Sequence, residues 1–278
     1  MNNRNDAALY VGPATVFLLA IILVPLGVLL YTSLAGQHGF SLEAYQKLFA
    51  SSLFRRTLWA TFEISLLASL ASLLLGYPLA VHLARQPARR RAIYMILVLV
   101  PFWTSILVKS FAFTILLGKT GLINSLLSML FGTQIQLPML FNRFGVMVGM
   151  TNYLVPFIVF PVLASLLAIN PALYKAAEIM GAKAPRIFFK ITVPLSLPGV
   201  AAGVLSTTIM SMGFFVIPAL LGSPQDVMMS NLVDFYTRET LDWNTASAIG
   251  VVMLIIIAIA GLCASRLQRY GAKPREAV

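Results

Sequence analysis

Six apolar runs divide the chain, at 11–33, 57–84, 92–117, 145–168, 196–221 and 245–265. A helix rising about 1.5 Å per residue needs about 20 apolar residues to cross a hydrocarbon core of about 30 Å. The pattern therefore predicts six transmembrane helices in an all-α integral membrane protein, with one domain spanning residues 1–278. Pro25, Pro78, Pro101, Pro156, Pro161 and Pro218 lie inside the runs. They would break helices in water, but in a bundle neighbouring groups re-satisfy the freed backbone, so kinks are expected. The first run is expected to stay as an anchor. It is too long for a signal-peptide core, Arg4 is offset by Asp6, and no small-residue cleavage site follows.

Composition narrows the class further. Of 278 residues, 59% are hydrophobic and only 10% charged, against about 25% charged in soluble domains; mean hydropathy is +0.88. The basic residues are unevenly placed. Arg85, Arg89, Arg90 and Arg91 lie between runs two and three, Lys175, Lys183, Arg186 and Lys190 between four and five, and Arg266, Arg269, Lys273 and Arg275 after run six. With Arg4, that side collects thirteen of the twenty Lys and Arg, against Asp6, Glu178 and Glu276. Cytoplasmic loops carry such an excess, so both termini are expected in the cytoplasm. The net charge of +11 is then a topology signal rather than a mark of nucleic-acid binding.

Chemistry-bearing motifs are sparse. The single Cys263 cannot form an intramolecular disulfide, and His38 and His82 are expected on opposite sides of the membrane. Gly-x-Ser-x-Gly, His-Glu-x-x-His and Cys-x-x-Cys are missing. Gly118-Lys119-Thr120 ends like a phosphate-binding loop, but Phe113 stands where that loop needs glycine. The chain is therefore expected to be no enzyme and to hold no cofactor or metal.

Residues 170–194 are the most informative segment. Asn170 can cap a helix opening at Pro171, Gly181 can end it in the left-handed conformation, and a second helix can restart at Pro185. The spacing of Ala176-Ala177, Gly181-Ala182, Phe188, Ile191 and Pro194 resembles the EAA loop of permease subunits of binding-protein-dependent ABC importers. Lys175 departs from the family's usual Glu, with Glu178 one turn further on, and Val193 from its usual Leu. Gly76-Tyr77-Pro78-Leu79-Ala80, Leu116-Leu117-Gly118 with Gly121-Leu122-Ile123-Asn124, and Phe215 to Gly222 are similar to the spermidine/putrescine-type permeases in order and spacing.

That resemblance implies a type I ABC-importer permease fold in the bacterial inner membrane. It further implies a second permease subunit, as a heterodimer, two ATPase subunits that carry the ATP and Mg, and a periplasmic solute-binding protein. The loop would be a coupling helix seated in a cleft of the ATPase, with Lys175, Ala176, Ala177, Glu178, Gly181, Ala182 and Arg186 as coupling residues. Ala177 and Gly181 are expected at closest approach. Relatives often carry an acidic residue before the aromatic of the fifth span, where this chain has Phe214 before Phe215. A polyamine is therefore not implied by charge, and opines, aminophosphonates, ferric iron or other small polar solutes stay open.

Candidate pathway-lining residues are Asn152, Tyr153, Thr207, Thr208, Ser211 and Phe215, each with helix packing as the alternative role. Glu63 and Lys109 lie at similar expected depths, about 9 and 13 Å below the outer surface, and are expected to pair because a lone charge in the bilayer is costly, with exposure to a water-filled cavity or outward snorkelling of Lys109 as the alternatives. Residues 121–131 form an amphipathic pattern that predicts an interfacial helix, with Asn124, Ser125 and Ser128 on its polar face. Gly145-x-x-x-Gly149 and Gly199-x-x-x-Gly203 offer close helix approach. The competing class is a stand-alone carrier or channel. It would usually show internal repeats and midplane charges, and it has no use for an EAA-like loop.

Overall fold

A computed structural model describes residues 3–36, 39–134 and 136–271. His38, Lys273, Arg275 and Glu276, and the side chains of Arg4, Asp6, Cys263 and Arg269, lie outside the described residues. The chain is mostly helical and forms two compact units, Met1–Arg55 with Leu232–Ile256, and Arg56–Asn231 with Ile257–Val278. In chain order, α1 (Asn3–Leu34) leads through a two-residue β-pair, Ala35–Gly36 with Gly39–Phe40, to α2 (Glu43–Ala50) and α3 (Ser52–Ala84). Then come α4 (Ala88–Trp103), α5 (Ile106–Leu117), α6 (Leu122–Phe131) and α7 (Arg143–Leu167). α8 (Pro171–Ile179) and α9 (Ala184–Ile187) pass through a π-turn, Phe188–Thr192, into α10 (Val193–Met212). α11 (Val216–Leu221), α12 (Met229–Arg238) and α13 (Trp243–Gly271) complete it.

Among the described residues, six stretches are long and apolar enough to cross a membrane: Thr15–Leu34, Ser52–Ala84, Ile106–Phe131, Arg143–Leu167, Ala184–Met212 and Trp243–Leu262. Two differ from the expected runs. The third expected helix, 92–117, is interrupted at Thr104 and Ser105, whose ψ angles of 137° and 133° are extended. Pro101 removes a backbone donor just before the break, and the Lys109 ammonium donates to the Pro101 carbonyl at 2.5 Å. The stretch that satisfies span length is displaced to Ile106–Phe131, with Gly118–Gly121 between its two helices. The fifth expected run, 196–221, stops as a helix at Met212 and resumes at Val216. The freed carbonyls are covered from the start of α12: Ser230 Oγ donates to Phe214, and Asn231 Nδ2 donates to Phe215 at 3.0 Å. A broken helix is tolerated at membrane depth when protein groups take its carbonyls in this way.

In the first unit, Tyr45 donates to Ser33 Oγ at 2.8 Å and Asn244 Nδ2 to the Ala35 carbonyl at 2.8 Å. Asp242 caps α13 through the Thr245 N–H and hydroxyl. In the second unit α7 is central, with twelve of its 25 residues buried. Its Val146, Met150 and Leu154 join Ile64, Phe214, Ile217 and Leu221 in one apolar cluster, and its Ile158, Val162 and Leu166 join Ala80 and Leu83 in another. Both small-residue pairs serve as contact seams here. A Cβ at Gly199 would lie 2.4 Å from the Pro161 carbonyl, and one at Gly149 2.8 Å from the Leu221 side chain. Only glycine admits α10 and α11 so close to α7.

Candidate functional site

The 170–194 segment folds as its punctuation predicts. Asn170 Oδ1 accepts from the Ala172 N–H at 2.9 Å, and Pro171 opens α8. Gly181 adopts φ +77°, and the Ala182 N–H closes onto the Ala177 carbonyl at 2.9 Å. Such a left-handed terminus costs little only for glycine. The Tyr174 and Thr192 hydroxyls meet at 3.4 Å, tying α8 to the π-turn.

The two faces of α8 differ. Ala177 is 7% exposed and turned into the protein, whereas Ile179 and Met180 are 87% and 82% exposed. Lys175, Ala176, Glu178, Gly181 and Arg186 are also exposed, and Ala182 half-buried. Ala177, expected at closest approach to a partner, packs its side chain inward beneath α8, and the outward small residues are Ala176 and Gly181. A cavity of about 480 Å³ lies against this segment, bounded by Tyr174, Glu178, Phe188 and Arg85.

The expected Glu63–Lys109 pair does not form. Glu63 instead pairs with Arg143 Nη1 at 2.5 Å, and Arg143 Nε reaches Asp226 Oδ1 at 3.1 Å. Asp226 also accepts from the Ser223 hydroxyl and N–H. A guanidinium presents a planar fork of donors and can serve two carboxylates at once, which an ammonium at the depth of Lys109 does not reach. Lys109 is satisfied by the Pro101 carbonyl and lies 4.9 Å from the centre of the Tyr153 ring. Sequence reasoning missed Arg143 because it sits at the edge of a run, and Asp226 because it is 83 residues away.

The six candidate lining residues do not share one surface. Thr207 and Ser211 are fully buried and donate to carbonyls of their own helix, and Ser211 also reaches the Ser65 carbonyl on α3 at 3.4 Å. Thr208 donates to Val204 and meets Ser69 Oγ at 3.1 Å across to α3. Tyr153 stacks on Phe157 and meets Phe214 edge-on at 5.1 Å. Phe215 is 38% exposed. Asn152 stands apart, lining an open apolar groove of about 880 Å³ between α3, α4 and α7. Asn124, expected on a polar face, is buried and bonds the Gly118 carbonyl and both backbone groups of Leu137, leaving Met129, Leu130 and Phe131 outward. The loop after α6 needs those backbone partners more than water needs the amide.

The membrane-length helices and the capped loop helix between two of them have counterparts in known transport proteins. Residues 72–273 match the model of the family described as binding-protein-dependent transport system inner membrane component. The spermidine/putrescine transport system permease protein PotB of Escherichia coli (strain K12) is 30% identical over 230 residues, covering 83% of each chain. A putative 2-aminoethylphosphonate transport system permease protein, PhnU, of Salmonella choleraesuis (strain SC-B67) is 25% identical over 254 residues, covering 86% of this chain and 83% of its own. Among solved structures, a bacterial alginate ABC transporter in complex with its pentasaccharide-bound periplasmic protein superposes with a TM-score of 0.77 at 21% identity, over 97% and 96% of the two chains. The chain belongs to the binding-protein-dependent transport system inner membrane component family. It is a multi-pass permease subunit of an ABC importer, of the polyamine-type group and with the type I fold.

Proposed function

We propose that this chain forms, with a second and different permease, the inner-membrane pathway for a small polar solute delivered by a periplasmic binding protein. Two separate ATPase subunits, which carry the ATP and Mg, seat α8 and its flanking turn. Closure of the ATPases around the two loops switches the pathway between inward-facing and outward-facing. The carrying observation is the exposure of Ile179 and Met180 at the end of a capped helix outside the spans. Two such apolar side chains side by side call for a protein partner. A stand-alone carrier gives that helix nothing to do.

For the solute we favour a small organic molecule with a primary ammonium group. Spermidine, putrescine and 2-aminoethylphosphonate, named for the two relatives, share that group. The selectivity is placed mainly in the binding protein, because Phe214 is buried edge-on to Tyr153 and offers no charge. The test is uptake into proteoliposomes holding the complete transporter, with the co-encoded binding protein and ATP inside. Uptake of an aminated solute that stops without ATP or without the binding protein supports the reading. ATP-independent uptake by this chain alone refutes it.

A further inference from the structure

Of the six candidate pathway residues, Asn152 alone lines the groove between α3, α4 and α7. On α3, Ala71, Leu75, Leu79 and His82 line it at helical spacing, and on α4 Tyr94, Leu97 and Pro101 do the same. From Ala71 to His82 is about 16 Å of helix, close to half of a hydrocarbon core of about 30 Å. The groove thus runs the depth of one leaflet. Thr151 and Asn152 lie in its α7 wall. Asn152 stands about 9 Å before Ile158 on α7, and Ile158 faces Gly76, so Asn152 sits toward the Ala71 end and limits the apolar part there.

At the other end the groove runs into charge. His82 and Tyr94 face each other there with ring centres 5.6 Å apart. Past His82 the chain leaves α3 and reaches Arg85, which borders the other cavity, and one turn before Tyr94 on α4 lie Arg90 and Arg91, with Arg89 beside them. Among the described residues none of these four arginines has an ion-pair partner. A leaflet-deep apolar slot ending in unpaired guanidinium groups matches one kind of molecule.

We propose that this groove is a binding site for an anionic phospholipid, an acyl chain lying along Leu75, Leu79 and Leu97 and the phosphate held by Arg89, Arg90 and Arg91. Apolar burial favours any lipid chain, while the arginine cluster selects a headgroup of net negative charge. A zwitterionic headgroup gains much less from the cluster.

The test uses the whole transporter, purified in detergent, with phosphatidylglycerol carrying a photoreactive acyl chain and the matching phosphatidylcholine as control. Adducts mapped to Leu75, Leu79, Leu97 or Val98, formed preferentially with phosphatidylglycerol, support the site. The Arg89→Gln/Arg90→Gln/Arg91→Gln variant should lose that preference, by about fivefold per arginine at low salt, with ATPase activity in phosphatidylcholine unchanged. Val148→Trp fills the groove and should abolish the adducts there while leaving Leu74 and Ile115, both more than 70% exposed, labelled as before. Equal labelling by both lipids, or adducts spread evenly over exposed apolar residues, overturns the proposal. So does an unlabelled groove in which a cysteine at Leu97 cross-links to the second permease. Competition by glycerol phosphate as effective as by intact lipid would reduce the site to an anion patch and overturns it as well.

Discussion

Arg143 Nε lies 3.1 Å from Asp226 Oδ1, joining the first turn of α7 to the loop that follows α11. Asp226 is 4% exposed, and the Ser223 hydroxyl and N–H take its remaining oxygen. On the other side of the guanidinium, Glu63 on α3 is more than one-third exposed. The two acids are therefore unequal partners.

A double-mutant cycle should show that inequality. Coupling between Arg143→Met and Asp226→Asn is expected at about 1–3 kcal/mol of detergent-solubilised stability. Coupling between Arg143→Met and Glu63→Gln should be smaller, because Glu63 is more than one-third exposed whereas Asp226 is buried and also held by Ser223. Coupling between Glu63→Gln and Lys109→Met should be indistinguishable from zero. Thermal unfolding of the four-member sets measures all three.

Lys109→Met should destabilise the protein by about 1.5–3 kcal/mol, the range for losing a hydrogen bond from a charged donor. It frees the Pro101 carbonyl at the break between α4 and α5 and removes the cation from the Tyr153 ring. Solute preference should not change. A changed preference with unchanged melting temperature would place Lys109 on the pathway instead.

Thr207→Val and Ser211→Ala should leave both the solute profile and the uptake rate within about twofold of the parent, since both hydroxyls are fully buried and spent on backbone carbonyls, Thr207 on its own helix and Ser211 on Thr208 and on Ser65 of α3. Competition uptake with a panel of aminated solutes checks this. A shift in the panel's order would show that α10 turns these residues toward the solute in another state.

Much of this was legible in the chain. The six-span class follows from twenty-residue apolar runs, and the loop helix from Asn170, Pro171 and Gly181, because caps and left-handed turns are local and residue-specific. The break at Thr104–Ser105 was less visible, since Pro101 allows either a kink or a stop, and the Lys109 ammonium that covers its carbonyl decides between them. The Arg143–Asp226 contact could not be read at all: it depends on which side of α7 packs on α11, set by Gly145 and Gly149 against Leu221. Depth alone suggested Lys109 for Glu63, and depth carries no azimuth around a helix. Burial likewise separated Ala177 from Ala176, adjacent residues of one type about 100° apart around α8.

Gly181 tests the turn independently of packing, because nothing lies within 4 Å of a Cβ built there. Gly181→Asn, which tolerates the left-handed region, should retain most solute-stimulated ATPase activity. Gly181→Val should lose stability by about 1–2 kcal/mol and uncouple hydrolysis from uptake. Gly181→Asp should also uncouple while still inserting into the membrane, through added charge at the partner surface. Equal, full coupling in the Val and Asp variants would remove the turn from the coupling machinery.

The most direct test of the coupling assignment is site-specific cross-linking from α8 in the assembled transporter. Cysteine introduced at Met180 should form an adduct with the ATPase subunit whose yield changes when ATP binds, while cysteine at the buried Ala177 should form little or none. An adduct from Ala177 equal to that from Met180, or no ATPase adduct from Met180 in an actively transporting complex, would contradict the account.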